Sequence, residues 1–115
     1  MFEIGYGDDG VIALTGRFDA AQCEKAQKFL DAAGGPRVLD LRGLEYISSA
    51  GLRCLMVTAR QAGEQRGRIL VSAMQPIVAE IVRISRFNLV FEVFATTREA
   101  LASVSPQAAQ AFDRG

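Results

Sequence analysis

The sequence predicts a single α/β domain with a mixed sheet, in the order β-β-α-β-α-β-α-β-α. The first observation is a hairpin pattern at the start of the chain, which makes two strands antiparallel. The second is that each later strand-like run precedes a segment with apolar residues three or four apart, as in strand–helix units with right-handed crossovers. The third is length, because 115 residues suit one domain with one core and no repeat or linker divides them.

The hairpin occupies the first fifteen residues. Residues 2–6 alternate apolar and polar side chains, residues 8–10 (DDG) are a turn signal, and residues 11–15 form a second short apolar run. Residues 16–19 (GRFD) follow and are expected to break the second strand, since glycine is unfavourable inside a strand.

The first helix is predicted over residues 20–33, with Asp19 as its N-cap. Residues 34–36 (GGP) end it. Its apolar residues recur every three or four positions and predict one buried stripe, made of Cys23, Ala26, Leu30 and Ala33.

Two further strand–helix units follow. Residues 37–41 and 68–72 read as buried strands, and a helix is predicted over residues 50–63. Pro76 fits the first turn of a short third helix. The residues expected to face the core are Leu52, Leu55, Met56 and Ala59 in the second helix, and Ile77, Val78, Ile81 and Val82 in the third.

The last strand and helix lie near the end of the chain. Residues 89–94 are rich in β-branched and aromatic side chains, which favours a strand. Thr96 and Glu99 have the spacing of a capping box and predict the start of the final helix. Pro106 marks its expected end, and residues 107–115 are expected to form a loosely ordered tail.

Composition narrows the class of function. Thirteen basic and thirteen acidic side chains cancel, so there is no electrostatic footprint for nucleic acid or an anionic membrane. No apolar run approaches the ~20 residues that span a bilayer, and no signal peptide begins the chain, so the expected location is cytoplasmic. In that compartment Cys23 and Cys54 are expected to be buried thiols, although one disulfide is possible.

Several chemistries lack their usual residues. The chain has no histidine, which removes the commonest general base and metal ligand. It has no CxxC pair and no phosphate-cradling GKS/T loop. Asp40 and Glu45 are carboxylates without a nearby nucleophile. We therefore expect no enzymatic activity, no metal and no cofactor.

The most informative segment joins the strand at residues 37–41 to the helix predicted over residues 50–63. Ser48 and Ser49 fall where that helix begins. A helix N-terminus presents unpaired N–H groups and the positive end of the helix dipole. A serine there either caps the helix or carries a phosphate that the helix end accommodates, and the spacing alone leaves both open.

Residues 40–52 (DLRGLEYISSAGL) closely resemble the signature of STAS domains, the anti-sigma factor antagonist family. The family pattern is an apolar strand ending in Asp-Leu, an aromatic or apolar pair, and Asp-Ser-Ser/Thr-Gly-Leu at a helix start. Residues 14–19 (LTGRFD) resemble the family's Leu-x-Gly-x-Leu-Asp, and residues 70–76 its next strand and proline. The resemblance covers nearly the whole chain. It implies about five strands with about four helices packed mainly on one side.

The resemblance also implies a site and partners. Antagonists of this family are phosphorylated by an anti-sigma factor that is a serine kinase, on the position that falls on Ser49. A PP2C-type phosphatase resets them. The unphosphorylated form binds the anti-sigma factor and so releases a sigma factor. The partner-binding residues implied for this chain are Arg17, Phe18, Asp19, Glu45, Tyr46, Ser48, Ala50, Gly51, Leu52 and Arg53.

The chain departs from the family pattern at three positions. Ser48 replaces the motif's aspartate, Ala50 replaces the second hydroxyl residue, and Arg86 stands where the family usually has glycine. With alanine at position 50, Ser49 is the single phosphoacceptor that the family pattern implies. Ser48 caps a helix as well as aspartate does. Two other functions stay open for the family: a subunit of an ABC-type membrane transport complex, and a STAS scaffold that does not cycle.

Overall fold

A computed structural model describes residues 1–7, 10–33, 37–64, 69–86 and 92–104, with the backbone alone for residue 37 and residues 58–64. The strands in these ranges are β1 (Phe2–Tyr6), β2 (Ile12–Phe18), β3 (Arg37–Asp40), β4 (Leu44–Ile47), β5 (Ile69–Ser72) and β6 (Glu92–Phe94). The helices are α1 (Cys23–Ala33), α2 (Ser49–Glu64), α3 (Pro76–Ile84) and α4 (Thr97–Val104), and a 3-10 turn (Ala20–Gln22) leads into α1.

The sheet is mixed, as the element order predicts. Its strands follow the order β1-β2-β3-β5-β6, with β1 antiparallel to β2 and the later neighbours parallel. Strand β4 also pairs with β2, in parallel. The first half of β2 therefore pairs with β3 and its second half with β4, which brings the ends of β2 and β4 side by side.

The prediction that residues 16–19 break β2 is wrong, because the strand continues through Phe18. Gly16 adopts φ +88°, and the register of β2 against β4 shifts between Gly16 and Arg17. A Cβ on Gly16 would lie 1.9 Å from the carbonyl oxygen of Met1, and that oxygen accepts the Arg17 N–H. The glycine thus marks a bulge within the strand, since glycine tolerates a positive φ and a close backbone.

Strand β4 was not predicted, and it makes six strands in the described residues where about five were expected. Leu44 and Ile47 at its two ends are fully buried. A run of four residues carries too weak a period to be recognised without its partner. That partner is the extension of β2 that the sequence also failed to predict.

Most helices cover one face of the sheet, as expected. The main core cluster joins residues of α1, α2 and α3 to β1–β5, for example Leu30, Leu55 and Val78. Helix α4 packs on the opposite face through Ala100 and Leu101. The central strands β3 and β5 have buried residues on both faces, which accounts for the consecutive apolar residues at 38–39 and 69–71.

The helix starts confirm most of the predicted caps. Asp19 forms a capping box with Gln22 at the 3-10 turn before α1, and the Glu99 N–H donates to the Thr96 hydroxyl at α4. Pro76 begins α3, where Val78 and Val82 are buried. The prediction that Ile77 faces the core is wrong, because its side chain is 55% exposed on the outer flank of this short helix.

Other expectations fall outside the described residues: the turn at 8–9, the helix end at 34–36, the first residue of the strand at 68–72, the first part of the strand at 89–94, the helix end at Pro106 and the tail at 107–115. The side chain of Ala59 also lies outside them. Cys23 and Cys54 are both free thiols; Cys54 is buried and Cys23 half-buried. No helix in the described ranges is long and apolar enough to cross a membrane.

Candidate functional site

The start of α2 is fixed by Ser48. Its backbone N–H donates to the carbonyl oxygen of Phe18 at 2.9 Å, which ties the helix start to the end of β2. Its hydroxyl accepts the N–H of Gly51 at 3.1 Å, and its carbonyl accepts the N–H of Leu52 at 2.9 Å. Ser48 is therefore the N-cap, and Ser49 is the first residue of the helix.

Ser49 is exposed at that first position, and the structure records no hydrogen bond for its hydroxyl within the part of the chain it describes. The first turn of α2 contains no acidic residue. The positive end of the helix dipole is thus not offset by a carboxylate of its own turn. The two serines have separate roles: Ser48 holds the helix start, and Ser49 presents a hydroxyl to solvent.

Gly51 allows α2 to sit close to the sheet. A Cβ at this position would lie 2.4 Å from Cδ1 of Phe18, 2.8 Å from the carbonyl oxygen of Phe18 and 3.1 Å from Cγ1 of Ile47. Phe18 is fully buried and meets the ring of Phe2 edge-on, at 4.9 Å between centroids. The absence of a side chain at Gly51 therefore sets the position of the first helical turn.

Arg17 and Tyr46 form a pair on neighbouring strands. They are opposite each other in the register of β2 and β4, and Cζ of Arg17 lies 4.5 Å from the centroid of the Tyr46 ring, a cation–π contact. The next pair along, Phe18 and Ile47, is buried in the core with α2. Because side chains alternate along a strand, Arg17 and Tyr46 lie on the sheet face opposite α2.

The two cysteines link α1 to the first turns of α2. The Cys23 thiol donates to the carbonyl oxygen of Ala50 at 3.6 Å, and the Cys54 thiol donates to the carbonyl oxygen of Cys23 at 3.2 Å. Burial, aided by the neighbouring Cys23 side chain, raises the pKa of the Cys54 thiol to about 12. The expectation of unbridged thiols is confirmed, but the sequence pattern did not predict this contact between the two cysteines.

Asp40 has a structural partner. Its carboxylate accepts the backbone N–H of Arg42 at 3.0 Å and the Arg42 guanidinium at 2.8–3.2 Å. The hydrogen bond and the charge of Asp40 raise the pKa of Arg42. This pair closes the turn between β3 and β4, and the Asp40 carboxylate is occupied by its bonds to Arg42. No cluster of three or more potential metal-ligating side chains occurs among the described residues.

The implied partner-binding residues fall into three classes of exposure. Phe18, Gly51 and Leu52 are buried within the domain, where they position the start of α2, and the partner contacts implied for them stay a prediction. Asp19 caps the turn before α1 while staying exposed. The exposed residues are Arg17, Asp19, Glu45, Ser49 and Arg53, and the half-buried ones are Tyr46, Ser48 and Ala50.

The sequence matches a family model described as "Mlab, STAS domain" over residues 5–92. The chain belongs to the STAS domain family. It is 39% identical over 101 residues to BtrV of Bordetella bronchiseptica, provisionally named an anti-sigma factor antagonist, with 83% of this chain and 86% of BtrV covered. The resemblance to the anti-sigma factor antagonist family is therefore confirmed.

Solved structures agree on the fold. An anti-sigma factor antagonist from Mycobacterium paratuberculosis superposes with a TM-score of 0.75 at 23% identity, covering 90% of this chain and 92% of that chain. SpoIIAA from Bacillus in its phosphorylated form gives 0.63 at 16% identity, covering 90% and 99%. At these identities the likeness concerns the arrangement of strands and helices.

Proposed function

We propose that this protein is a partner-switching anti-sigma factor antagonist whose switch residue is Ser49. The unphosphorylated form binds an anti-sigma factor that is a serine kinase, and this frees the sigma factor. The kinase then transfers the γ-phosphoryl group of ATP to the Ser49 hydroxyl oxygen. The hydroxyl proton leaves, ADP is released and the antagonist dissociates. A PP2C-type phosphatase hydrolyses the phosphate ester and returns the protein to its binding state.

The observation that carries the proposal is the separation of the two serines. Ser48 caps α2 through its hydroxyl, so this hydroxyl already has a structural role at the helix start. Ser49 is exposed and its hydroxyl has no structural duty in the described part of the chain. A kinase can modify Ser49 without dismantling the fold, and Ser49 is also the position that the family signature assigns.

The folded domain tolerates phosphate at this position. A phosphoserine adds about −1.5 to −2 charges at neutral pH. At the N-terminus of a helix such a charge meets the positive end of the dipole, and it is stabilising by about 0.3–1 kcal/mol at an exposed position. We therefore expect phosphorylation to leave the fold intact and to raise the free energy of unfolding of the free protein by no more than about 1 kcal/mol.

The same charge is unfavourable when a partner covers it. A switch that weakens binding about 100-fold needs about 2.7 kcal/mol. Burying a charged group without a partner at an interface costs about 2–5 kcal/mol. One phosphate at Ser49 is therefore sufficient to separate the complex, provided that the partner surface lies over the start of α2.

The proposal assigns the chemistry to the partners. The chain acts as a substrate and a binding surface in the cytoplasm, without a catalytic centre, metal or cofactor of its own. The exposed side chains that flank Ser49 in sequence or in the neighbouring loops, Asp19, Glu45 and Arg53, would provide contacts. Arg17 and Tyr46 lie on the other face of the sheet, so any contact that they make belongs to the margin of the interface.

The test is phosphorylation by a candidate anti-sigma factor kinase from the same organism, in the presence of ATP, followed by phosphopeptide mapping. We expect one phosphate on Ser49, none on Ser49→Ala, and continued modification of Ser48→Ala, although at a lower rate. Ser49→Ala should bind the kinase and remain bound, because the interface is intact and the acceptor is absent. Ser49→Asp should fold normally and bind much more weakly.

Three outcomes would contradict the proposal. Phosphate on Ser48 or on a threonine, with Ser49 unmodified, would show that the acceptor is misassigned. Failure of the kinase to bind or modify the wild-type protein, combined with stable association with a transporter ATPase, would favour the transport-subunit function. Binding without any modification would favour a scaffold.

A further inference from the structure

Arg53 lies one turn beyond Ser49 on the same face of α2. The two residues are four apart in a continuous helix, and both are exposed. Side chains at positions i and i+4 are neighbours on a helix surface, with ≈5–6 Å between Cβ atoms. The favourable order places the anion N-terminal to the cation, and a phosphate on Ser49 with Arg53 has that order.

The Arg53 guanidinium has no ion pair or hydrogen bond recorded in the described ranges. Other arginines of the domain are already engaged: Arg42 with Asp40 and Arg83 with Glu80. Arg17 stacks on Tyr46 on the far face of the sheet. Among the implied partner-binding residues, Arg53 is the arginine that is both on the Ser49 face and unengaged.

The remaining charged members of that set are acidic. Asp19 and Glu45 are exposed, and Asp19 accepts the N–H of Ala21 at the turn before α1. Neither carboxylate can neutralise a phosphate, and each would repel it. A phosphate on Ser49 therefore has Arg53, one turn away in the same helix, to pair with, and the guanidinium is suited to phosphate because it donates in a planar fork.

We propose that phosphoserine 49 pairs with Arg53 within the same helix, so that phosphorylation also withdraws this arginine from the partner. This deepens the proposed function and rests on it. Before phosphorylation Arg53 is available to an acidic group of the anti-sigma factor. After phosphorylation the phosphate occupies the guanidinium, and the partner loses an attractive contact in addition to meeting a new negative charge.

The first test does not depend on any kinase. Phosphoserine is installed at position 49 by codon reassignment, and the second ionisation of the phosphate is followed by ³¹P NMR as pH is varied. An exposed ion pair of ordinary strength should lower the pH midpoint of this ionisation by about 0.2–0.7 pH unit in wild type relative to Arg53→Gln. Arg53→Lys should recover part of the shift, and added salt should reduce it.

Phosphoserine at position 48 is the matched control. Residue 48 precedes the helix, and its i+3 and i+4 neighbours are Gly51 and Leu52, so Arg53→Gln should not move its midpoint. An equal midpoint in phosphoserine-49 wild type and Arg53→Gln would overturn the pairing, whether or not a kinase acts on Ser49. Thermal unfolding of the unmodified Arg53→Gln protein should match wild type, because the side chain is exposed.

The second test measures binding to the anti-sigma factor. If Arg53 is a contact that phosphate withdraws, Arg53→Gln weakens the unphosphorylated complex, and phosphoserine 49 has a smaller effect in Arg53→Gln than in wild type. Equal fold-changes in the two backgrounds would overturn the withdrawal. Failure of the wild-type protein to respond to phosphoserine 49 would instead overturn the proposed function, so the two failures are distinguishable.

Discussion

Gly51 in the first turn of α2 lies against Phe18 at the end of β2, and the contact leaves no room for a methyl group. A Cβ on Gly51 would lie 2.4 Å from the phenyl ring and 2.8 Å from the backbone carbonyl of Phe18. The same carbonyl accepts the N–H of Ser48. One residue of β2 thus positions both the cap and the first turn of the helix that presents Ser49.

We expect Gly51→Ala to destabilise the domain. Overpacking costs about 1–3 kcal/mol, and the replacement of a helical glycine by alanine returns about 0.5–1 kcal/mol. The predicted net loss in the free energy of unfolding is about 1–2 kcal/mol, because the backbone oxygen of Phe18 cannot rotate away as a flexible side chain would. Urea unfolding measures it.

The matched control for Gly51→Ala is Gly5→Ala. A Cβ on Gly5 would meet nothing within 4 Å, and Gly5 lies within strand β1. This substitution should leave stability unchanged or raise it slightly, since it removes conformational freedom from the unfolded chain. Equal stability losses in the two variants would mean that the Gly51 contact is not the cause.

Ser48 and Ser49 should differ in their effects on stability. Ser48→Ala removes the acceptor for the Gly51 N–H and should cost about 1 kcal/mol, as the loss of an N-cap usually does. Ser48→Asp should retain the cap and most of the stability. Ser49→Ala should change the free energy of unfolding by less than about 0.5 kcal/mol. A larger effect at Ser49 than at Ser48, by chemical denaturation, would contradict the assignment of the cap.

A buried hydroxyl pair links β5 to α4. The Ser72 hydroxyl donates to the carbonyl oxygen of Leu39 at 2.9 Å, and it lies 2.9 Å from the Thr97 hydroxyl. Ser72→Ala leaves the buried Thr97 hydroxyl without this partner and removes the side-chain bond to the Leu39 carbonyl, and it should cost about 1–3 kcal/mol. Thr97→Val should cost less, because Ser72 keeps Leu39. A double-mutant cycle should give a coupling energy of at least about 0.5 kcal/mol, and strictly additive losses would contradict the pairing.

The elements that the sequence predicts well carry a strong local signal. Helix α2 begins at Ser49, one residue before the predicted start, because a capping serine precedes a clear three-to-four period. Asp19 and Thr96 were recognised as caps for the same reason. The match of residues 40–52 to a family signature then supplied the family, which the comparison with BtrV confirms.

The parts that were not predicted depend on pairing between distant residues. Gly16 reads as a strand breaker until β4 is known to lie beside it, and β4 reads as a loop until β2 is known to extend. Likewise, the lack of room at Gly51 follows from how α2 crosses the sheet. Local patterns therefore placed Ser49 at the start of the helix, but they could not show how closely its neighbours pack against β2.

The last prediction concerns Cys54 and pH. Burial raises the pKa of its thiol from the ordinary 9.0 to about 12 in the folded protein. Below pH 9 the thiol is protonated in both states. Between pH 9 and 12 the unfolded chain releases the proton while the folded chain retains it, so the free energy of unfolding falls as pH rises. Cys54→Ala removes this titration. Urea unfolding at pH 7.5, 9 and 10 should therefore show wild type losing more stability than Cys54→Ala, and parallel losses would show that the folded thiol titrates normally.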